Sequence, residues 1–111
     1  MPARIIHLQN RAEFKELLKK EKLVVVKAGA EWCGPCKQIS KYFDKYTECY
    51  LNNNFIVVKL DIDSGRDLKT FLRIQSIPQL FFYLNGELQT TIIGSDKNDL
   101  EKFLEGLLIY I

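Results

Sequence analysis

An α/β fold, with a mixed five-stranded central sheet flanked by four helices, is the architecture this sequence predicts, on three observations. Two runs, "KLVVVKAGA" (22–30) and "FIVVKLDI" (55–62), are β-branched and nearly continuous in apolar character, as expected of strands covered on both faces. Segments with helical spacing separate the early strands, and such alternation favours parallel pairing with right-handed crossovers. Near the C-terminus "QLFFYL" (79–84) and "LQTTII" (88–93) flank "NGE", where Asn85-Gly86 supplies the positive φ of a tight hairpin. The last two strands must therefore be antiparallel.

Each element has its own local signal. "RIIHL" (4–8) reads as a short first strand. Asn10 followed by Glu13 resembles a capping box, and Ala12, Phe14, Leu17 and Leu18 then recur at helical spacing through Lys20. After residue 36, Ile39, Tyr42, Phe43, Tyr46, Cys49 and Tyr50 fall on one helical stripe and predict a long, buried-faced helix. "SGRDLKTFLRI" opens a short helix. A last helix starts after Ser95 or Asp96 as cap, with Leu100, Phe103, Leu104, Leu107 and Leu108 as its buried stripe.

At 111 residues, 47% of them hydrophobic, the chain is the size of one domain that buries its own core, and no linker, repeat or low-complexity tract divides residues 1–111. Its 16 basic residues are nearly matched by 14 acidic ones and form no block, which argues against nucleic acid as a partner. "MPARIIHLQN" lacks the apolar core of a signal peptide and "LLIYI" is too short to span a bilayer, so a soluble cytoplasmic monomer is expected. Three cysteines, an odd count, argue against a disulfide-built secreted scaffold.

The chemistry centres on "WCGPC". Cys33 and Cys36 lie three apart where the second strand gives way to a helix. With the helix beginning at Cys33, unpaired backbone N–H groups and the positive end of the helix dipole stabilise its thiolate, making it the attacking sulfur. Gly34 gives the turn freedom, Pro35 suits the first helical turn, and Cys36 sits one turn inward, able to close a ring with Cys33. That placement implies two-step exchange: a mixed disulfide on Cys33, then displacement by Cys36. Ile77-Pro78, just before a strand, is a candidate cis peptide.

"AEWCGPCK", "KLDID", "SIPQLFFYLNGE" and Gly94 occur in the order and at the spacing of the thioredoxin family, which the whole chain resembles. The resemblance implies the thioredoxin fold and a protein-disulfide reductase serving cell redox homeostasis, with Cys33 as nucleophile and Cys36 as resolving thiol. It further implies Trp32 as a lid beside the site, Pro78 as a cis-proline facing the sulfurs, and a shallow groove of Trp32, Gly34, Pro35, Ile77, Pro78 and Gly94 that docks disulfide-containing client proteins. Electrons would come from a thioredoxin reductase, an NADPH-dependent flavoprotein, since the chain has no nucleotide-binding fingerprint and no cofactor of its own is expected. Two rivals are a disulfide isomerase or oxidase module, and a thioredoxin-like binding subunit whose redox activity is incidental.

Four positions depart from the family. Where thioredoxins carry a buried aspartate six residues before the first cysteine, this chain has Lys27, and three roles compete for it. A neutral amine could accept the Cys36 proton; a charged one could favour the Cys36 thiolate, paired to Asp61; or the long stem could carry the amine to solvent. The large aromatics common after that aspartate are Ala28 and Gly29 here, and the helix-kinking proline is Lys41, which predicts a straighter helix. Cys49 is expected to be a small buried hydrophobe and not a regulatory thiol. His7, in the first strand, reads as structural or exposed, and Cys33, Cys36, Cys49 and His7 show only one paired spacing, so no metal site is expected. The series Tyr42, Tyr46, Tyr50 is expected to face the core.

Overall fold

The two apolar runs become neighbours in the middle of one sheet. The computed structural model describes residues 1–111. In chain order it has β1 (Arg4–His7), α1 (Arg11–Lys20), β2 (Leu23–Gly29), α2 (Gly34–Tyr50), β3 (Phe55–Asp61), α3 (Arg66–Phe71), β4 (Gln79–Leu84), β5 (Glu87–Ile93) and α4 (Lys97–Leu107). The sheet order is β1-β3-β2-β4-β5, with β1, β3 and β2 parallel and β4 and β5 each antiparallel to the preceding strand in that order. The mixed sheet follows from the connections: helical crossovers join the parallel strands, and the Asn85-Gly86 turn, with φ of 51° and 82°, joins the terminal hairpin.

Alternation along the strands divides the core into two layers. Leu23 and Val25 of β2 and Phe55 and Val57 of β3 pack with Ile39 and Phe43 of α2 and Leu100, Phe103, Leu104 and Leu107 of α4. Val24, Val26 and Ala28, with Ile56, Val58 and Leu60, pack on the other side with Phe14 of α1 and Leu68 of α3. That second layer also holds Tyr83 edge-on to Phe14 at 5.3 Å, and burial pushes its phenol up to about 12, so the ring stays neutral. The parity has a consequence at the end of β2: Lys27 and Gly29, in step with Leu23 and Val25, are aimed at the α2 side.

The caps are those the local chemistry favours. The Asn10 side chain accepts from the Glu13 N–H, and Asp96, not Ser95, caps α4 through the Asp99 N–H at 3.0 Å. Asp67 of α3 accepts from the Arg11 backbone N–H and guanidinium, at 2.8 and 2.9 Å, fastening α3 to the start of α1; those bonds hold its carboxyl below the usual range, the backbone bond foremost.

Helix α2 departs from the stripe expected of it. Its buried line is Cys36, Ile39, Phe43 and Thr47, while Tyr42 and Tyr50 are exposed, Tyr46 is half-buried and Cys49 lies open to solvent. Thr47 can take a core position because its hydroxyl donates to the Asp44 carbonyl of its own helix. Cys49, six residues beyond Phe43, is turned about 120° away from the core-facing line. Leu108 is also exposed, because α4 gives way there to a 3-10 turn over Leu108–Tyr110. α2 runs unbroken over 17 residues, with Lys41 inside it.

Two glycines should respond oppositely to alanine. A Cβ on Gly65 would come within 2.5 Å of Leu60 Cδ1 and 2.9 Å of the Asp61 carbonyl oxygen, whereas one on Gly106, inside α4, would meet nothing. Urea denaturation should show Gly65→Ala destabilised and Gly106→Ala stabilised by about 1 kcal/mol, the helix-propensity difference.

Candidate active site

Backbone geometry at the start of α2 builds the reactive centre. Cys33 is the N-cap, with extended φ and ψ of −88° and 107°, and its sulfur accepts the Cys36 backbone N–H at 3.2 Å. That N–H is one of the donors a helix start leaves without an intrahelical partner, and the cap favours negative charge on the sulfur. Pro35 lies in the first turn, where its missing N–H costs nothing. The ring is closed: Cys33 and Cys36 form a disulfide, with Cα atoms 5.3 Å apart. Both cysteines are buried to a similar degree, so the cap and not exposure tells them apart.

The other sequence-identified residues come from three places in the fold. Trp32 is 68% exposed and is held by its indole N–H, which donates to Asp63 after β3 at 2.8 Å. Gly34 and Pro35 are exposed on the helix start. The Ile77-Pro78 bond is cis, and the Gly94 N–H donates to the Pro78 carbonyl at 2.8 Å, tying the end of β5 to the start of β4. Gly94 has φ of 101°, a conformation that requires glycine.

Lys27 does not pair with Asp61, nor does its stem reach solvent. Its amine donates to Ser40 Oγ and to Asp44 Oδ1 on α2, each at 3.0 Å, and its side chain is only 13% exposed. Strand parity explains the partner: Lys27 lies on the α2 face, directly opposite Lys59 in the ladder, and Ser40 and Asp44 follow Cys36 at four-residue steps along α2. Lys59 reaches the same Asp44 oxygen at 3.5 Å, so two amines share one carboxylate. Burial pushes the Lys27 amine below its ordinary value of 10.5, the hydrogen bond and charge of Asp44 pull it back, and Lys59 lowers it further. Lys27 and Cys36 line one cleft of about 410 Å³.

Asp63, Ser40 and Asp44 are the site neighbours that reading by motif passes over. The four-residue spacing from Cys36 would have found Ser40 and Asp44; no sequence pattern links Asp63 to Trp32, since their contact depends on where the loop after β3 returns. Gly29, also aimed at α2, lies against the resolving position: a Cβ there would be 3.3 Å from Cys36 Sγ. Among His7, Cys33, Cys36 and Cys49, no group of three potential ligands converges as a metal site.

Two outcomes follow from this geometry. In the oxidised protein iodoacetamide should label Cys49 alone without denaturant, and after reduction Cys33 should be alkylated much faster than Cys36; equal rates would contradict the cap. The folded state binds the Lys27 proton less tightly than the unfolded chain, so the cost of that buried charge is present at neutral pH and is relieved as pH rises through the folded-state value towards 10.5. Urea unfolding across that range should show the wild type gaining stability relative to Lys27→Met.

Comparison with known proteins agrees with this arrangement. The thioredoxin family model matches residues 5–106. The chain is 34% identical to thioredoxin-1 of Schizosaccharomyces pombe over 101 residues, covering 91% of this chain and 96% of that one. It is 35% identical to the thioredoxin of Gallus gallus, covering 89% and 94%. In structure it is similar to Plasmodium falciparum thioredoxin, with a TM-score of 0.79 at 29% identity, covering 94% of this chain and 98% of that one. With the match running nearly end to end and the cysteine pair closed across the first turn of α2, the chain belongs to the thioredoxin family of thiol–disulfide oxidoreductases.

Proposed function

We propose that this thiol–disulfide oxidoreductase reduces disulfides of client proteins in the cytoplasm, acting as a monomer, and is itself re-reduced by an NADPH-dependent thioredoxin reductase. The observation that carries the reading is the sulfur cap on α2, which marks Cys33 as the attacking sulfur. The Cys33 thiolate, favoured by that position, attacks a client disulfide; the client S–S bond breaks and one client thiolate leaves. Cys36, once deprotonated, attacks Cys33 Sγ of the mixed disulfide, expels the second client thiolate and closes Cys33–Cys36. The reductase then returns two electrons to the pair.

Clients dock, in this reading, along Trp32, Gly34, Pro35, Ile77, Pro78 and Gly94. The exposed indole of Trp32, the open helix start at Gly34 and Pro35, and the bond that ties Gly94 to Pro78 support it. Lys27 takes the charged role among those open to it: paired with Asp44 and sharing a cleft with Cys36, its ammonium favours the Cys36 thiolate in the second step. Membrane attachment has no support from the helices, none of which is long and apolar enough to cross a bilayer.

Insulin reduction with dithiothreitol tests the proposal. The wild type should accelerate it, Cys33→Ser and Cys36→Ser should each abolish the acceleration, and a wild type no faster than dithiothreitol alone would favour a binding subunit instead.

A further inference from the structure

A second cleft, of about 490 Å³, lies between α2 and the start of α4. Its lining includes the buried side chains of Ile39 and Leu100 and the ring of Tyr42, with the Lys97 amine 5.8 Å from the ring centre. Lys41 and Lys45 of α2 and Lys97 of α4, all exposed, line it as well, and no carboxylate does. Asp96, beside Lys97 in the chain, is turned to the Asp99 N–H as the cap of α4. None of the three lysines takes part in an ion pair; the pairs this fold makes join other residues.

Three cations so placed oppose one another until an anion joins them. Lys41 and Lys45 are four residues apart on one helix, where like charges repel. Lys97 is the first residue of α4, where the helix dipole is already positive. With 16 basic residues against 14 acidic ones in the whole chain, this is a local excess and not general basicity. The cleft also adjoins the border proposed for client docking. Ser95, which lines it, follows Gly94, and Gln38, which also lines it, is one helical turn beyond Gly34. Lys41 and Lys45 lie eight and twelve residues past Cys33, about 12 and 18 Å along the chain of α2 by helical rise. An extended client segment covers that span in about four to six residues.

We propose that this cleft receives an acidic segment of the client protein, with carboxylates about four to six residues from the cysteine that Cys33 attacks. Ile39, Tyr42 and Leu100 offer an apolar surface beside the lysines, so the segment carries an apolar side chain among its carboxylates. The lysines select the client and take no part in the sulfur exchange. Exposed amines hold a free anion weakly, but a carboxylate tethered to a client already docked meets them at a raised effective concentration. The same charges orient the encounter, which raises kcat/KM and weakens as salt screens them. This inference rests on the proposed reduction of client disulfides and names the class of client that reaction favours.

Two disulfide-bridged peptides are the probes, identical except that the segment at that spacing from one cysteine is Glu-rich in one and Gln-rich in the other. Their reduction is followed with dithiothreitol as electron donor, after subtraction of the rate with dithiothreitol alone. At low ionic strength the wild type should show a kcat/KM about tenfold higher for the Glu-rich peptide, and the advantage should shrink as salt is added. Lys41→Gln/Lys45→Gln/Lys97→Gln should lose most of that advantage. Lys19→Gln/Lys20→Gln/Lys22→Gln, which removes the same charge at the opposite end of β2 from Cys33, should keep it. Equal losses in the two variants would assign the preference to net charge, and a wild type indifferent to Glu or Gln would show no preference at all; either result overturns the proposal. A wild type that reduces neither peptide faster than dithiothreitol alone would instead overturn the reductase reading, and this inference with it.

Discussion

The backbone N–H groups left unpaired at the start of α2 are the constraint on which the chemistry depends. A helix must find partners for them, and here one partner is a sulfur: Cys33 accepts from Cys36 N–H in the position where serine or aspartate would ordinarily stand. One hydrogen bond thus caps a 17-residue helix and gives the thiolate a stabilised place. The sheet keeps that helix start in position. β2 is central, bonded to β3 on one side and β4 on the other, so the strand that delivers Cys33 has little freedom, and Ile39 and Phe43 bury α2 against it within a turn or two of the sulfurs.

The same alternation that builds two core layers decides the electrostatics behind the disulfide. An amine in a central strand would be costly if left unpaired. Ser40 and Asp44, which follow Cys36 at helical steps on the α2 side of the sheet, offset part of that cost for Lys27 but not all of it. The carboxylate, Asp44, stands on the helix and the amines of Lys27 and Lys59 on paired strands. Gly29, two residues on, shares that face and packs close against Cys36, where a Cβ would lie 3.3 Å from its sulfur. On the other face, Ala28 lies in a layer that also holds Phe81 and Tyr83.

Much of this was legible in the residues alone. Strand and helix order, the Asn85-Gly86 hairpin and the Cys33–Cys36 ring follow from local chemistry, and the cis Ile77-Pro78 bond from the family resemblance. The misreadings share one cause. Cys49, Tyr42, Tyr50 and Leu108 fit buried stripes by residue type, yet whether an apolar side chain is covered depends on how far the neighbouring element extends and how the helix is rotated. Thr47 is the reverse case, since a hydroxyl satisfied within its own helix can sit in the core.

The sequence by itself determined the order of elements, the cap at Cys33 and the spacing that lets Cys36 reach it, because those depend on contacts within a few residues. Only the tertiary structure decided the partner of Lys27, the anchoring of Trp32 on Asp63 and the cleft behind Cys36. Each of these joins residues far apart in the chain, and the packing of α2 on the sheet sets their distances.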